Sequence, residues 1–250
     1  MQLNVFRKGF NYSQDGPGHR LVYHLQGCNM ACGWCSNPEG MVPGADPDRD
    51  PGLFPAVAWE VEALAMEARR CLPLFYDGGG VTLTGGEATV QFEAVKLLLG
   101  RLKADGIHTA MESNASHPRL QDLFPLVDYL ILDCKHYDDS KHRAATGIGN
   151  GGIKGNLEKA FELHANLLVR IPLIRGVNDS VDDAVRFAAW FRRFHTGHAA
   201  FEFLPYHEYG RRMWERIGRP YRIENGFVDG KIVAAFEAIF QASGLEVIHT

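Results

Sequence analysis

The 250-residue sequence has no apolar run long enough to cross a bilayer, and its amino-terminal stretch lacks the apolar core of a signal peptide. It also lacks an excess of basic residues, since 26 Lys and Arg stand against 30 Asp and Glu, a formal net charge of −4. A chain of this kind has no basic field with which to hold a phosphate backbone. We therefore expect a cytoplasmic protein whose partners include neither a membrane nor a nucleic acid.

Cysteine is scarce as well, with five residues in the chain, but its distribution is uneven. Three of the five fall within one short stretch, GCNMACGWCSNPEG, at Cys28, Cys32 and Cys35. Thiols stay reduced in the cytoplasm, so an odd number of partly clustered cysteines indicates metal or redox chemistry rather than disulfides. Cys71 and Cys134 stand alone, and we assign them to core packing.

Short apolar runs rich in β-branched residues alternate with amphipathic stretches, a pattern typical of repeated βα units. The alternation predicts an α/β fold with a partial (β/α)6 barrel of parallel strands, in a single domain over residues 1–250. The predicted strands are 20–26, 80–84, 107–112, 128–134, 167–173 and 200–206. Apolar periodicity and capping residues predict helices at 90–106, 180–194 and 230–244. The segment 38–55, rich in proline and glycine, predicts an irregular surface loop.

The three clustered thiols fit two kinds of metal site. A structural zinc site needs four closed ligands, and here His19 or His24 would have to supply the fourth. A four-iron cluster held by three thiolates instead leaves one iron without a protein ligand, and so open to a substrate. The zinc site would belong to a non-catalytic interaction module and the cluster to an enzyme, and the cysteines alone leave both alternatives open.

Polar residues follow the predicted strands at their carboxyl ends, which is where βα-barrel proteins build active sites. The sequence has TGGE at 84–87 after the second strand, ESN at 112–114 after the third and DCK at 133–135 after the fourth. Arg170 lies inside the apolar fifth strand, where an unpaired guanidinium would be costly, so we expect a ligand carboxylate beside it. His207 follows the sixth strand.

The C-x3-C-x2-C spacing, with Trp34 just before the last cysteine, resembles the cluster loop of the radical S-adenosylmethionine (SAM) superfamily. Other stretches follow in the order found in activating enzymes of glycyl radical enzymes, and resemble those of pyruvate formate-lyase most. These stretches are DGPGHR at 15–20, GVTLTGGEATVQ at 80–91, YLILDCKHYDD at 129–139, LVRIPLIRGVND at 168–179 and LPYHEYGRRMWERIGRPY at 204–221. The resemblance covers most of the chain.

The resemblance implies one [4Fe-4S] cluster on Cys28, Cys32 and Cys35, with SAM bound at the open iron and no catalytic residue beyond cluster and cofactor. The residues that it implies for SAM binding are Trp34, Gly85, Gly86, Glu87, Ser113, Asp133, Lys135, Arg170 and His207. Glu112 and Asp133 match positions around a monovalent cation, although Glu-Ser stands here where the family has Asp-Thr. Because 38–55 has no cysteine and hence no ferredoxin-like insertion, we expect a single cluster.

The activity that the resemblance implies is that of an anaerobic oxidoreductase. The reduced cluster would cleave SAM to methionine and a 5′-deoxyadenosyl radical, which removes hydrogen from a backbone glycine of a partner glycyl radical enzyme. That partner would bind transiently to a monomer, and a flavodoxin or ferredoxin would supply the electron. The arginine-rich stretch 210–220 is a candidate docking rim. The alternative is a radical SAM enzyme that uses the same scaffold on a small molecule or a peptide.

Overall fold

A computed structural model describes residues 1–41 and 56–250 of the chain. Its strands are β1 (Gln2–Tyr12), β2 (His19–Leu25), β3 (Val57–Glu60), β4 (Gly80–Gly85), β5 (Thr109–Ser113), β6 (Tyr129–Asp133), β7 (Leu167–Leu173), β8 (Ala199–Pro205) and β9 (Glu246–Val247). Its α-helices are α1 (Val61–Arg70), α2 (Phe92–Ala104), α3 (Asp139–Thr146), α4 (Gly151–Leu163), α5 (Val181–Phe191), α6 (Arg211–Arg216) and α7 (Gly230–Ala242). Short 3₁₀ helices lie at Pro38–Met41, Leu72–Leu74, Ala88–Gln91 and Leu120–Leu126.

The strands form one open sheet in the order β3-β1-β2-β4-β5-β6-β7-β8-β9. Strands β2 and β4 to β9 run parallel, whereas β1 pairs antiparallel with both β2 and β3. The six predicted strands are β2 and β4 to β8, so the predicted α/β fold with a partial barrel of parallel strands is confirmed. Since the strands run parallel, their carboxyl ends meet at one edge of the sheet.

Helices cover the sheet because its parallel strands carry apolar residues on both faces. Every residue of β7 is buried, and α5 and α7 contribute buried Phe187 and Phe240 to an aromatic cluster that also contains Phe201 of β8. The predicted helices are confirmed as α2, α5 and α7. Helix α5 begins with a capping box between Ser180 and Asp183, and Gly106, just beyond α2, takes a left-handed φ of 70°.

Three strands were not predicted, and all three lie near the edges of the sheet. β1 mixes charged residues and a glycine with its apolar residues, and β3 and β9 have only four and two residues. Of the predicted loop 38–55, Pro38–Met41 forms a buried 3₁₀ helix, and 42–55 lie outside the described residues. In the two described ranges, no helix combines the length and the apolar character that a bilayer crossing requires.

Candidate active site

The cysteine loop, residues 27–40, leaves the carboxyl end of β2 and closes on itself at its base. The backbone N–H of Gly27 donates to the carbonyl of Gly40 at 2.8 Å, and the N–H of Glu87 donates to the carbonyl of Gly27 at 2.7 Å. The loop is therefore joined to the TGGE turn that follows β4. Two segments that are 60 residues apart in sequence meet because β2 and β4 are neighbouring parallel strands.

A single pocket collects residues from the cysteine loop and from the carboxyl ends of β4, β5, β6 and β8. Every site residue predicted from the sequence lines this pocket except Arg170. These residues are Cys28, Cys32, Trp34, Cys35, Gly85, Gly86, Glu87, Glu112, Ser113, Asp133, Lys135 and His207. Asn37 and Tyr206 also line the pocket and were not predicted as site residues. Asn37 lies within the cysteine loop and Tyr206 just before His207, and these positions were the available signal.

Of the three loop cysteines, Cys32 is buried and Cys28 and Cys35 are half-buried. Burial raises the pKa of Cys28 to about 11 and that of Cys35 to about 12, and it also raises the pKa of Cys32. Thiols in this state keep their protons at neutral pH unless a metal replaces them, because a coordinating thiol is deprotonated by the metal charge. Among the described residues, no three His, Cys, Asp or Glu side chains converge as they would around one metal ion.

The two histidines considered as a fourth zinc ligand lie outside this pocket. His19, at the opposite end of β2 from the cysteine loop, stacks between Phe10 and Tyr76, and its Nδ1 lies 2.7 Å from the carbonyl oxygen of Leu74. His24 lies with its Nδ1 3.3 Å from a guanidinium nitrogen of Arg7. Neither histidine proposed as the fourth zinc ligand therefore lines the pocket that the cysteines share.

The two glycines of the TGGE turn are needed by the backbone. Gly85 has a φ of 129°, and a Cβ at this position would overlap the backbone of Leu25. A Cβ at Gly86 would overlap the carbonyl oxygens of Gly27 and Gly40. The turn lies directly against the base of the cysteine loop because both side chains are absent.

The carboxylate of Glu87 is fully buried and accepts four hydrogen bonds from the protein. The Thr89 N–H donates at 2.9 Å, the Thr89 hydroxyl at 2.5 Å, the Ser113 hydroxyl at 2.8 Å and the Asn114 N–H at 2.6 Å. Burial nonetheless raises the pKa of Glu87 above its usual range. Glu87 and Ser113 thus tie the turn after β4 to the end of β5, and their predicted contacts with SAM stay predictions.

Asp133 and Lys135 form an ion pair at the end of β6, with 2.9 Å between Lys135 Nζ and Asp133 Oδ2. Burial alone would lower the pKa of Lys135, but the Asp133 carboxylate beside it outweighs burial and raises the pKa, so the ammonium stays charged. The pKa of Asp133 is raised, chiefly by burial. The pair places a cation in the pocket close to the cysteines.

The expectation that Arg170 needs a ligand carboxylate is wrong, because the protein supplies two. Arg170 Nη1 lies 3.0 Å from Glu112 Oε1, and its Nε lies 2.8 Å from Glu202 Oε2. A further nitrogen donates to the carbonyl of Gln14. The sequence did not reveal these partners, since Glu202 lies on the neighbouring strand β8 and Gln14 in the turn between β1 and β2.

Glu112 lines the pocket, but both of its oxygens already have donors. The Thr84 hydroxyl donates to Oε2 at 2.6 Å, and Arg170 pairs with Oε1. Burial would raise the pKa of Glu112, yet these two neighbours outweigh it and hold the pKa below its usual range. The guanidinium already supplies the positive charge beside this carboxylate, so the geometry does not favour a monovalent cation there.

Comparison with known proteins agrees with the geometry of the pocket. The family model of the radical SAM superfamily matches residues 22–188. The pyruvate formate-lyase-activating enzyme of Staphylococcus epidermidis is 30% identical over 84% of this chain and 84% of its own length. The choline trimethylamine-lyase activating enzyme of Oleidesulfovibrio alaskensis is 31% identical over 84% of this chain and 85% of its own length.

The fold also resembles that of a radical SAM enzyme of known structure. A radical SAM methyltransferase from Sphaerobacter thermophilus superimposes with a TM-score of 0.64 over 98% of this chain and 76% of that protein, at 16% identity. At this identity the likeness concerns the fold alone. The family match covers more than half of the chain and includes the cysteine loop, the TGGE turn and the ends of β5 and β6. The chain belongs to the radical SAM superfamily.

Proposed function

We propose that this protein activates a glycyl radical enzyme by removing a hydrogen atom from a backbone glycine of that partner. The observation that carries the proposal is the shared pocket, in which three loop cysteines face the carboxyl ends of β4, β5 and β6. The similarity to two activators of glycyl radical enzymes over 84% of the chain supports it.

In this proposal Cys28, Cys32 and Cys35 ligate three irons of one [4Fe-4S] cluster. The donor set fits, because three thiols line the pocket while Cys71 and Cys134 do not, so one iron has no cysteine and stays open for SAM. When bound, the cluster and SAM together supply the radical that takes the hydrogen atom. The protein positions the cluster and SAM and shields them from solvent.

The other pocket residues have two roles. Trp34, Asp133, Lys135 and His207 present side chains to the pocket, and we propose that they bind SAM together with the backbone of the TGGE turn. Glu87 and Ser113 also hold the walls of the pocket through hydrogen bonds, and Arg170 supports Glu112 from a position that does not line the pocket. Apolar residues complete the lining and exclude water: Met30, Met41, Pro172, Ile174 and Leu204.

The proposed function also implies an oligomeric state, a compartment and an electron donor. We propose a single domain that acts as a monomer in the anaerobic cytoplasm. The glycine-bearing loop of its partner must reach the pocket, so that complex is transient. The single cluster receives its electron from a flavodoxin or a ferredoxin.

The test measures whether a hydrogen atom is transferred from the glycine to 5′-deoxyadenosine. Protein reconstituted with iron and sulfide under anaerobic conditions is reduced chemically and supplied with SAM and a peptide that reproduces a glycyl radical loop, with deuterium on the glycine α-carbon. Mass spectrometry then measures deuterium in the 5′-deoxyadenosine product. Deuterium in that product establishes glycine activation. SAM cleavage that yields no deuterated product, with the peptide and with the intact glycyl radical enzyme, would favour a small-molecule substrate.

Cysteine variants provide the matched control. We expect Cys35→Ser to abolish both cluster binding and SAM cleavage, whereas Cys71→Ser retains both because Cys71 does not line the pocket. Iron and sulfide analysis measures the cluster, and circular dichroism shows whether the variant keeps its fold. SAM cleavage that persists in Cys35→Ser would contradict the assignment of the cluster.

A further inference from the structure

The outer side of the cysteine loop is covered by one segment from the far end of the chain. This segment, residues 208–224, includes α6 and is called here the arginine segment. Trp214 Nε1 donates to the carbonyl oxygen of Cys35 at 3.0 Å, and Gly210 lies so close to Cys35 and Ser36 that a Cβ there would be 2.6 Å from the Cys35 carbonyl oxygen. Further along, Ile223 packs beside Gly33. The arginine segment therefore contacts the loop on both sides of its third cysteine.

The arginine segment is basic although the protein is acidic. It holds five arginines and three glutamates, a formal charge of +2 in a chain whose net charge is −4. Arg211 is paired with Glu208 at 3.1 Å, whereas Arg212, Arg219 and Arg222 are exposed and form no ion pair with any described residue. Such cations are available to a partner.

The three unpaired arginines face solvent. Trp214 of α6 is buried against the cysteine loop, and Arg212 precedes it by two residues, which is roughly 200° around a helix. Arg212 therefore points away from the loop. Arg219 and Arg222 follow α6 and are also exposed, so one face of the segment contacts the loop and the other presents positive charge to solvent.

We propose that the arginine segment is the docking surface of an acidic one-electron carrier protein that reduces the cluster. This inference rests on the proposed function, since it requires a cluster on the loop cysteines. The step moves one electron: the carrier is oxidised by one electron and the cluster is reduced by one, and no bond forms or breaks. The layer of protein between the two is short here, because the segment is hydrogen-bonded directly to the backbone of Cys35.

The geometry favours the carrier over the glycyl radical enzyme as the occupant. The glycine to be activated must enter the pocket, past His207 and the strand ends that line it. An electron instead has to reach the cluster from outside the cysteine loop, which is the side that the arginine segment covers. Redox complexes have small interfaces and bind weakly, and complementary charge mainly speeds their association, so exposed and unpaired arginines suit this role.

The test is a charge reversal with a matched control. R212E/R219E reverses two unpaired arginines of the segment, and R192E/R193E makes the same change of net charge just after α5, ahead of β8 and away from the cysteine loop. The probe is a reduced, acidic flavodoxin mixed with each anaerobically reconstituted variant. Stopped-flow absorbance gives the second-order rate constant of cluster reduction, and titration of oxidised flavodoxin gives its affinity.

We expect R212E/R219E to lower the rate constant at low salt by about tenfold or more, and the difference from wild type to shrink as salt rises. The cluster of R192E/R193E should be reduced by flavodoxin at the wild-type rate. Reduction by photoexcited deazaflavin, a small reductant that needs no docking surface, should be equal in all three proteins, which shows that the cluster and the fold are intact. Equal rates with flavodoxin would overturn the proposal.

Two further outcomes separate this inference from the function on which it rests. If R212E/R219E weakens binding of the glycyl radical enzyme but not of flavodoxin, the segment is the rim for the target and the proposal fails. If wild-type protein reduced by deazaflavin does not cleave SAM, the proposed function fails instead. If R212E/R219E still cleaves SAM after reduction by deazaflavin but is reduced slowly by flavodoxin, the result supports both the docking surface and the proposed function.

Discussion

The indole of Trp214 is hydrogen-bonded to the backbone carbonyl of Cys35, 3.0 Å away in space and 179 residues away along the chain. The Trp214 side chain is 7% exposed, so the bond is shielded from water. Its donor belongs to α6, and its acceptor belongs to the third cysteine of the loop. The conformation of the candidate cluster site therefore depends on a segment that lies beyond the matched superfamily region.

Replacing Trp214 by phenylalanine removes this donor and keeps a ring in the same place. We expect Trp214→Phe to lower the free energy of unfolding by about 1 kcal/mol, because the Cys35 carbonyl loses a shielded partner. We also expect the variant to release iron faster to a chelator under anaerobic conditions, which absorbance of the iron complex measures. Trp190→Phe, in α5, is the control and should release iron at the wild-type rate. Equal rates in all three proteins would contradict this role of Trp214.

Two glycines, Gly86 in the TGGE turn and Gly100 in α2, give opposite expectations for substitution by alanine. In Gly86→Ala the new Cβ overlaps two carbonyl oxygens at the base of the cysteine loop, and neither can move without the loop. We expect a loss of about 2 kcal/mol or more in unfolding free energy, together with weaker SAM binding. Gly100→Ala lies in α2 with no atom within 4 Å of the new Cβ, so it should raise stability by about 0.5–1 kcal/mol. Urea denaturation and equilibrium binding of SAM test both variants; wild-type values for Gly86→Ala would refute the expectation.

Sequence patterns predict those parts of this protein in which local chemistry decides the structure. The runs that became β4 and β7 were apolar because both faces of the strands are covered, and the three cysteines were close in sequence before they shared a pocket. Contacts between side chains on different strands cannot be predicted from such local patterns. Nothing in LLVRIPL shows that Arg170 meets Glu202, because only the register of β7 against β8 brings them together. The contact between Trp214 and the cysteine loop was missed for the same reason.

The buried triad of Arg170, Glu112 and Glu202 gives a stability prediction. Arg170→Met removes one cation from between two carboxylates, which leaves Glu202 buried and Glu112 partly buried without a counterion. We expect a loss of about 3–5 kcal/mol in unfolding free energy. The control is Arg186→Met, whose partner Asp182 and own side chain are both exposed, so the loss should be below about 1 kcal/mol. Chemical denaturation of cluster-free protein measures both, and similar losses in the two variants would show that the triad contributes no more than a surface pair.

His24 gives a prediction about pH. Burial, assisted by the neighbouring Arg7, lowers the pKa of His24 from 6.5 to about 4, so the folded protein keeps this imidazole neutral. Between those two values an unfolded chain binds a proton that the folded chain does not, and stability therefore falls as pH falls from about 6.5 to about 4. Over the whole interval this difference in proton binding lowers the free energy of unfolding by roughly 3 kcal/mol.

The variant His24→Gln cannot bind that proton, so its unfolding free energy should fall less steeply with acidification than that of the wild type. Urea denaturation of cluster-free protein at about pH 7 and about pH 5 gives the two slopes, and groups common to both proteins cancel in the comparison. If His24→Gln and wild type lost the same stability over this interval, His24 would have to be protonated in the folded protein, and its neutral state beside Arg7 would be excluded.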